Sequence, residues 1–358
     1  MLRKLAVVAL RIYQKNKIKP DKGSKTDYVY VANQGSNNIS QYIVSVHGNL
    51  IPLATATIAT GTTPVCIAAA PSGRYAYVAN QGGNSISQYK ISTTGSLEEL
   101  ASPVAAGTSP VEIAIAPSGR FAYVANSSSN DISQYVIGDN GMLGAMSPAT
   151  VETGMIPVAI TVDPSGRYVY VVNNSSNNIS QFIITENGSL QAMTPATIAA
   201  GTAPRSIAGE PTGKYVYVVN RSSGDVTQYA ISTDGRLAPM PAPVAAGKHP
   251  ICISISPSGK QAYVANQNGN SISQYTLAEN GRLVPMMPAT VDTAVTPVSV
   301  AVSRSGKYAY ASNISSNNVS QFSIDSQGGL VAIQVNNWGK ATVAAEVSPR
   351  FVLSISIC

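Results

Sequence analysis

Residues 110–141 read Pro110-Val-Glu-Ile-Ala-Ile-Ala-Pro-Ser-Gly-Arg-Phe-Ala-Tyr-Val-Ala-Asn-Ser-Ser-Ser-Asn-Asp-Ile-Ser-Gln-Tyr-Val-Ile-Gly-Asp-Asn-Gly141. Three β-branched or aromatic runs alternate here with turn chemistry. Pro110 to Ala116 is a strand of small and branched residues, and Pro117 to Arg120 is a turn. Phe121 to Asn126 is a second strand, a polar loop spans 127–131, and Ile132 to Ile137 is a third. Ser-Gly and Asn-Gly supply the positive φ angles that tight hairpins need. After Asn140-Gly141 a weaker fourth strand is expected, running to about Val151.

The same text recurs seven times. Its second strand ends in Asn33, Asn80, Asn126, Asn173, Asn220, Asn266 and Asn313, at spacings of 47, 46, 47, 47, 46 and 47 residues. Four short antiparallel strands in each unit of about 45 residues are the signature of a propeller blade. The chain is therefore expected to be all-β, a single seven-bladed β-propeller over residues 28–358. The unit at 28–60 lacks its first strand, and the last segment, from Pro349 to Ile357, is such a strand without followers. Pairing the two would close the ring and leave no open edge.

Composition agrees. Of 358 residues 44% are hydrophobic and 11% charged, and Val, Ile, Ser, Thr, Tyr, Asn and Gly are abundant, which favours strands and turns. No apolar stretch approaches the roughly 18 residues of a membrane span. The formal charge of +6 lies entirely in residues 1–27, which carry eight basic and two acidic side chains; the remainder has fifteen of each. A neutral body argues against a nucleic-acid partner. Residues 1–27 are expected to form a disordered basic extension. The apolar run from Leu5 to Leu10 is too short for a working export signal and reads as a degenerate one. Low charge with abundant Asn, Ser and Thr favours the cell envelope or exterior over the cytoplasm. Cys66, Cys252 and Cys358 have no metal or disulfide spacing and are expected to be free, the first two buried. No metal or cofactor motif is present, and a monomer is expected.

A repeat separates scaffold from site, because a residue found in all copies serves the blade. The seven strand-ending asparagines are expected to bond their own turns. Gln41, Gln88, Gln134, Gln181, Gln228, Gln274 and Gln321 are expected to satisfy polar groups between blades. Function should sit where the copies differ. The loop leading into the first strand usually reads Gly-Thr-x-Pro; Lys248 and His249 depart from it, as do Glu112, Arg205 and Arg350 just after their prolines. Arg221 opens the loop after the second strand of blade five. Arg205, Arg221, Lys248 and His249 are expected to converge on one sector of the channel mouth, with Glu112 and Arg350 elsewhere on the rim. Guanidinium forks suit a carboxylate or phosphate, so the expected partner is a small anionic ligand or another protein.

The Tyr-Val-Ala-Asn strands at 77–80, 123–126 and 263–266, preceded by Pro-Ser-Gly-Arg and followed by Gln-Tyr or Gln-Phe, resemble the YVTN repeat. The longer unit is similar to the lactonase-like seven-bladed propellers, which include 6-phosphogluconolactonases. That resemblance implies a His-x-His after one leading proline, a Pro-Arg-His before a later blade and an Asn-Glu ending that blade's second strand. This chain has no His-x-His, and reads Pro204-Arg205-Ser206 and Asn220-Arg221 at the later places. Its scarcity of acid–base residues favours a binding or scaffold module with its ligand at the mouth. The alternative is hydrolysis of a sugar-acid lactone: Arg205, Arg221 and Lys248 would hold the anion, Arg350 would polarise the carbonyl, and His249 or Glu112 would activate water.

Overall fold

The computed structural model describes residues 26–333 and 342–357. The expectations for residues 1–25 lie outside them. Seven sheets form, each with its first strand innermost, and no helix among the described residues is long and apolar enough to cross a membrane. Blade 3 is representative, with strands Pro110–Ile115, Phe121–Asn126, Asp131–Ile137 and Leu143–Glu152. Its fourth strand is as long as any, not weak; the outer strand is broken instead in blade 5, into Leu237–Pro239 and Val244–Ala245. In blade 1 the Pro349–Ile357 strand pairs antiparallel with Thr26–Asn33, from Thr26 opposite Ile357 to Asn33 opposite Pro349. The ring closes as the sequence implies, and the closing strand reaches two residues into the segment assigned to the extension.

Blades pack face to face through alternating residues. One core cluster joins Tyr217, Val219 and Val226 of blade 5 to Ile253, Val264 and Tyr275 of blade 6. Two sevenfold hydrogen-bond ladders reinforce this packing. The second-strand tyrosine hydroxyls (Tyr30, Tyr77, Tyr123, Tyr170, Tyr217, Tyr263, Tyr310) each donate to a hairpin-glycine carbonyl of the next blade at 2.6–2.9 Å. The seven glutamines accept the leucine N–H that opens the next blade's outer strand, at 2.6–2.8 Å. At Gly235 (φ 85°) a Cβ would come within 2.2 Å of the Tyr168 ring, so the partner hairpin admits only glycine. The seven asparagines differ from expectation. Each donates Nδ2 to a Ser or Thr hydroxyl seven residues on, at 2.7–2.9 Å, tying second strand to third; Asn313 also reaches local backbone, the Ala311 and Asn318 carbonyls at 3.2 and 3.4 Å.

Candidate functional site

Every first strand starts on a proline, and in every blade the pairing with the second strand slips by one residue just after it. Such a bulge leaves one residue outside the ladder and re-aims its side chain. The residues so freed are Val65, Val111, Val158, Arg205, Ile251, Val298 and Arg350. All seven line one cavity of about 80 Å³ at the channel mouth, together with Gln81, Glu112, Ser206, Cys252 and Phe351. Five walls of this ring are aliphatic and two are arginine.

Arg205 and Arg350 are half-buried, and among the described residues neither guanidinium has a hydrogen-bond or ion-pair partner. Burial lowers Arg205 to about 10; the charge of Arg350 adds to this, and Glu112 opposes it. Arg350 is also lowered, by burial and then by Arg221. Two unpaired guanidinium forks facing a confined space form a cradle for an oxyanion. Glu112 sits among them. Its Oε2 accepts the Ile160 N–H of blade 4 at 2.8 Å, and burial raises it to about 7, against the opposing pulls of that N–H and of Arg205. A carboxyl titrating near neutrality can take and return a proton at ordinary pH.

The grouping differs from the one expected. Glu112, Arg205 and Arg350 share the cavity, whereas Lys248 and His249 do not line it. The reason is the bulge: residues after the leading proline turn into the channel, and the two before it belong to the outer loop. Lys248 is exposed on that loop, and His249 is half-buried with φ 52° and a buried, unpartnered Nδ1. Arg221 is exposed and donates to Gln267 Oε1 at 3.3 Å, yet its charge reaches both cavity arginines. Cys252 is only half-buried and belongs to the cavity wall, a correction to the expectation of two buried thiols; Cys66 is buried. Sequence reasoning passed over Gln81, Ser206 and Phe351. Gln81 occupies in blade 2 the place of Arg221 in blade 5, a signal available in the repeat.

The profile of the family described as "Lactonase, 7-bladed beta-propeller" matches residues 22–111, 102–194, 145–254 and 186–343. The chain belongs to this lactonase propeller family. No curated protein matches it. Among solved structures, a Bacteroides fragilis protein provisionally named a 6-phosphogluconolactonase aligns at TM-score 0.81 and 19% identity, over 94% of this chain and all of that one. The periplasmic gluconolactonase of Pseudomonas aeruginosa aligns at TM-score 0.77 and 19% identity, covering 93% and 99%. Hydrazine synthase of Kuenenia stuttgartiensis aligns at TM-score 0.65 and 21% identity, covering 82% and 91%. At these identities the likeness concerns fold alone.

Proposed function

We propose that the channel mouth hydrolyses a sugar-acid lactone, the alternative above, rather than serving as a binding or scaffold module. The family and the names of two structural neighbours favour it, and one observation carries it: a carboxyl titrating near 7 facing two arginines without partners. Glu112, oriented by Ile160 N–H, takes a proton from water as the oxygen adds to the lactone carbonyl. Arg350 faces the oxyanion of the tetrahedral intermediate, and Arg205 holds the acid group with Arg221 behind it. Collapse breaks the ring C–O bond, and the leaving oxygen receives the proton from Glu112. The product is a hydroxy acid, which releases a proton to solvent. His249 and Lys248 stand outside this sequence of steps.

The test is release of acid from 6-phosphogluconolactone and from simple aldonolactones. Glu112→Gln keeps an oxygen for Ile160 N–H but removes the base, and should lower kcat by about 100-fold or more. Arg350→Ala should lower kcat more than it raises KM, whereas Arg205→Ala should chiefly raise KM. A wild-type protein with no turnover above background, but with a Tm raised by the product acids, would restore the binding-module reading.

A further inference from the structure

Six of the seven blade junctions at the mouth share one hydrogen bond. A loop asparagine in left-handed conformation presents Oδ1 to the N–H of the residue before the next blade's leading proline. The pairs are Asn37 with Thr63, Asn84 with Ser109, Asn130 with Ile156, Asn177 with Ala203, Asn270 with Thr296 and Asn317 with Ser348, at 2.7–2.9 Å. Between blades 5 and 6 the asparagine is Gly224 and the receiving residue is His249. The backbone there keeps its place, since Gly224 O accepts Ala246 N–H at 2.9 Å, just as Asn37 O accepts Thr60 N–H at 3.0 Å. Only the side chain is gone, and a Cβ built on Gly224 would meet no atom within 4 Å.

The consequences gather on one residue. Among the described residues His249 N–H donates to no acceptor, and its Nδ1 is buried without a partner. The acceptor that meets this N–H at the other six junctions is thus missing where His249 has two unmet polar atoms, and the same junction carries the exposed cations Arg221 and Lys248. The nearby acid, Asp225, already accepts Asn220 Nδ2 and Ser223 Oγ through Oδ1. No other junction combines a lost acceptor with added positive charge.

We propose that the blade 5–blade 6 junction is an oxyanion-binding site, in which a phosphate or carboxylate oxygen takes the place held elsewhere by asparagine Oδ1. That oxygen accepts the His249 main-chain N–H and the hydrogen on Nδ1, while Arg221 and Lys248 supply the charge. The site lies on the same face as the cavity but stands independently of lactone hydrolysis.

The glycine provides the test. At φ 72° it adopts the conformation that the six asparagines hold at 48–59°, so Gly224→Asn should refold the missing link and fill the site. Binding of inorganic phosphate, with acetate as the carboxylate arm, is measured on the full chain in an Arg205→Ala background that disables the cavity cradle. The readouts are Tm and the ¹⁵N resonance of His249 Nδ1. Phosphate or acetate should bind in that background; whichever binds more tightly identifies the acid group. Adding Gly224→Asn should raise the ligand-free Tm and weaken binding about tenfold or more, the loss of a charge-assisted hydrogen bond. Lys248→Ala, which lies outside the cavity, should weaken it several-fold, and carries the test if Gly224→Asn does not fold. The proposal is overturned if Gly224→Asn binds phosphate within about twofold of its background, or if neither anion moves the His249 resonance. Hydrolysis assays play no part, so an inactive protein leaves it intact.

Discussion

Glu112 is one of seven residues at the second place after a leading proline; the others are Cys66, Ala159, Ser206, Cys252, Ser299 and Phe351. Short polar side chains there reach an N–H of the next blade, as Ser206 does to Ile253 N–H at 3.3 Å and Ser299 to Val352 N–H at 3.4 Å. Glu112 makes the same contact at 2.8 Å with one oxygen and has a second to spare. Its ordinary structural duty is therefore met while its acidity stays available. The sign of the pH effects follows from its pKa of about 7, raised from 4.5. As base, Glu112 must be ionised, so kcat/KM should climb with pH up to about 7 and level off above. The folded state binds a proton more tightly than the unfolded chain, so this carboxyl costs stability progressively as pH rises from about 4.5 to about 7. Glu112→Gln should thus melt higher than wild type at pH 8, by something on the order of 1–3 kcal/mol, and nearly with it at pH 4. Equal displacement of Tm at both pH values would show that the carboxyl is not held near neutrality.

At the scale of elements, the repeat was legible because its punctuation is local. Pro-Ser-Gly-Arg and Asn-Gly fix hairpins by φ preference alone, and their spacing fixes the blade. The interblade role of the glutamines was legible for a related reason: a polar side chain alternating onto a buried face seven times must meet a partner. The bulge after each proline was not legible. It is a slip of backbone pairing that no residue type marks, since its position holds Val, Ile or Arg alike, and it decides which departures from the repeat enter the channel. That is why Arg350 and Glu112, expected elsewhere on the rim, join Arg205, while His249 and Lys248 stay outside. The ladders can be weighed by substitution. Gln134 accepts Leu190 N–H at 2.7 Å out of water and donates to the part-buried Pro148 O at 3.0 Å. Gln134→Leu strands the buried Leu190 N–H and should cost about 1–3 kcal/mol, read from urea unfolding. Tyr123→Phe, which strands only Gly188 O, should cost about 1–2 kcal/mol.

For the molecule as a whole, the strand that closes the ring also carries part of the site. Pro349–Ile357 brings Arg350 and Phe351 to the cavity, while Val352, 1% exposed, is buried with Val29, Val31 and Tyr42 of blade 1 and with Tyr310 and Val319 of blade 7. Ring closure and site assembly are thus one event: a chain whose last strand is undocked has neither a seventh interface nor the second guanidinium. In an open repeat array each unit answers only to its neighbours, and damage at one end frays that end. A closed ring has no end to fray, because blades 1 and 7 each lose an interface when this strand leaves. Val352→Asp buries an unpaired carboxylate at that junction and should cost about 3–5 kcal/mol. Val331→Asp, on a half-exposed outer strand of blade 7 (51% exposed), is the matched control and should cost less than about 0.5 kcal/mol. The closed ring requires Val352→Asp to melt in a single transition, lower than wild type, with anion binding at the cavity lost along the same curve as the tyrosine fluorescence. Two separated transitions, the first releasing only blade 1, would mean that the other six blades stand without the latch.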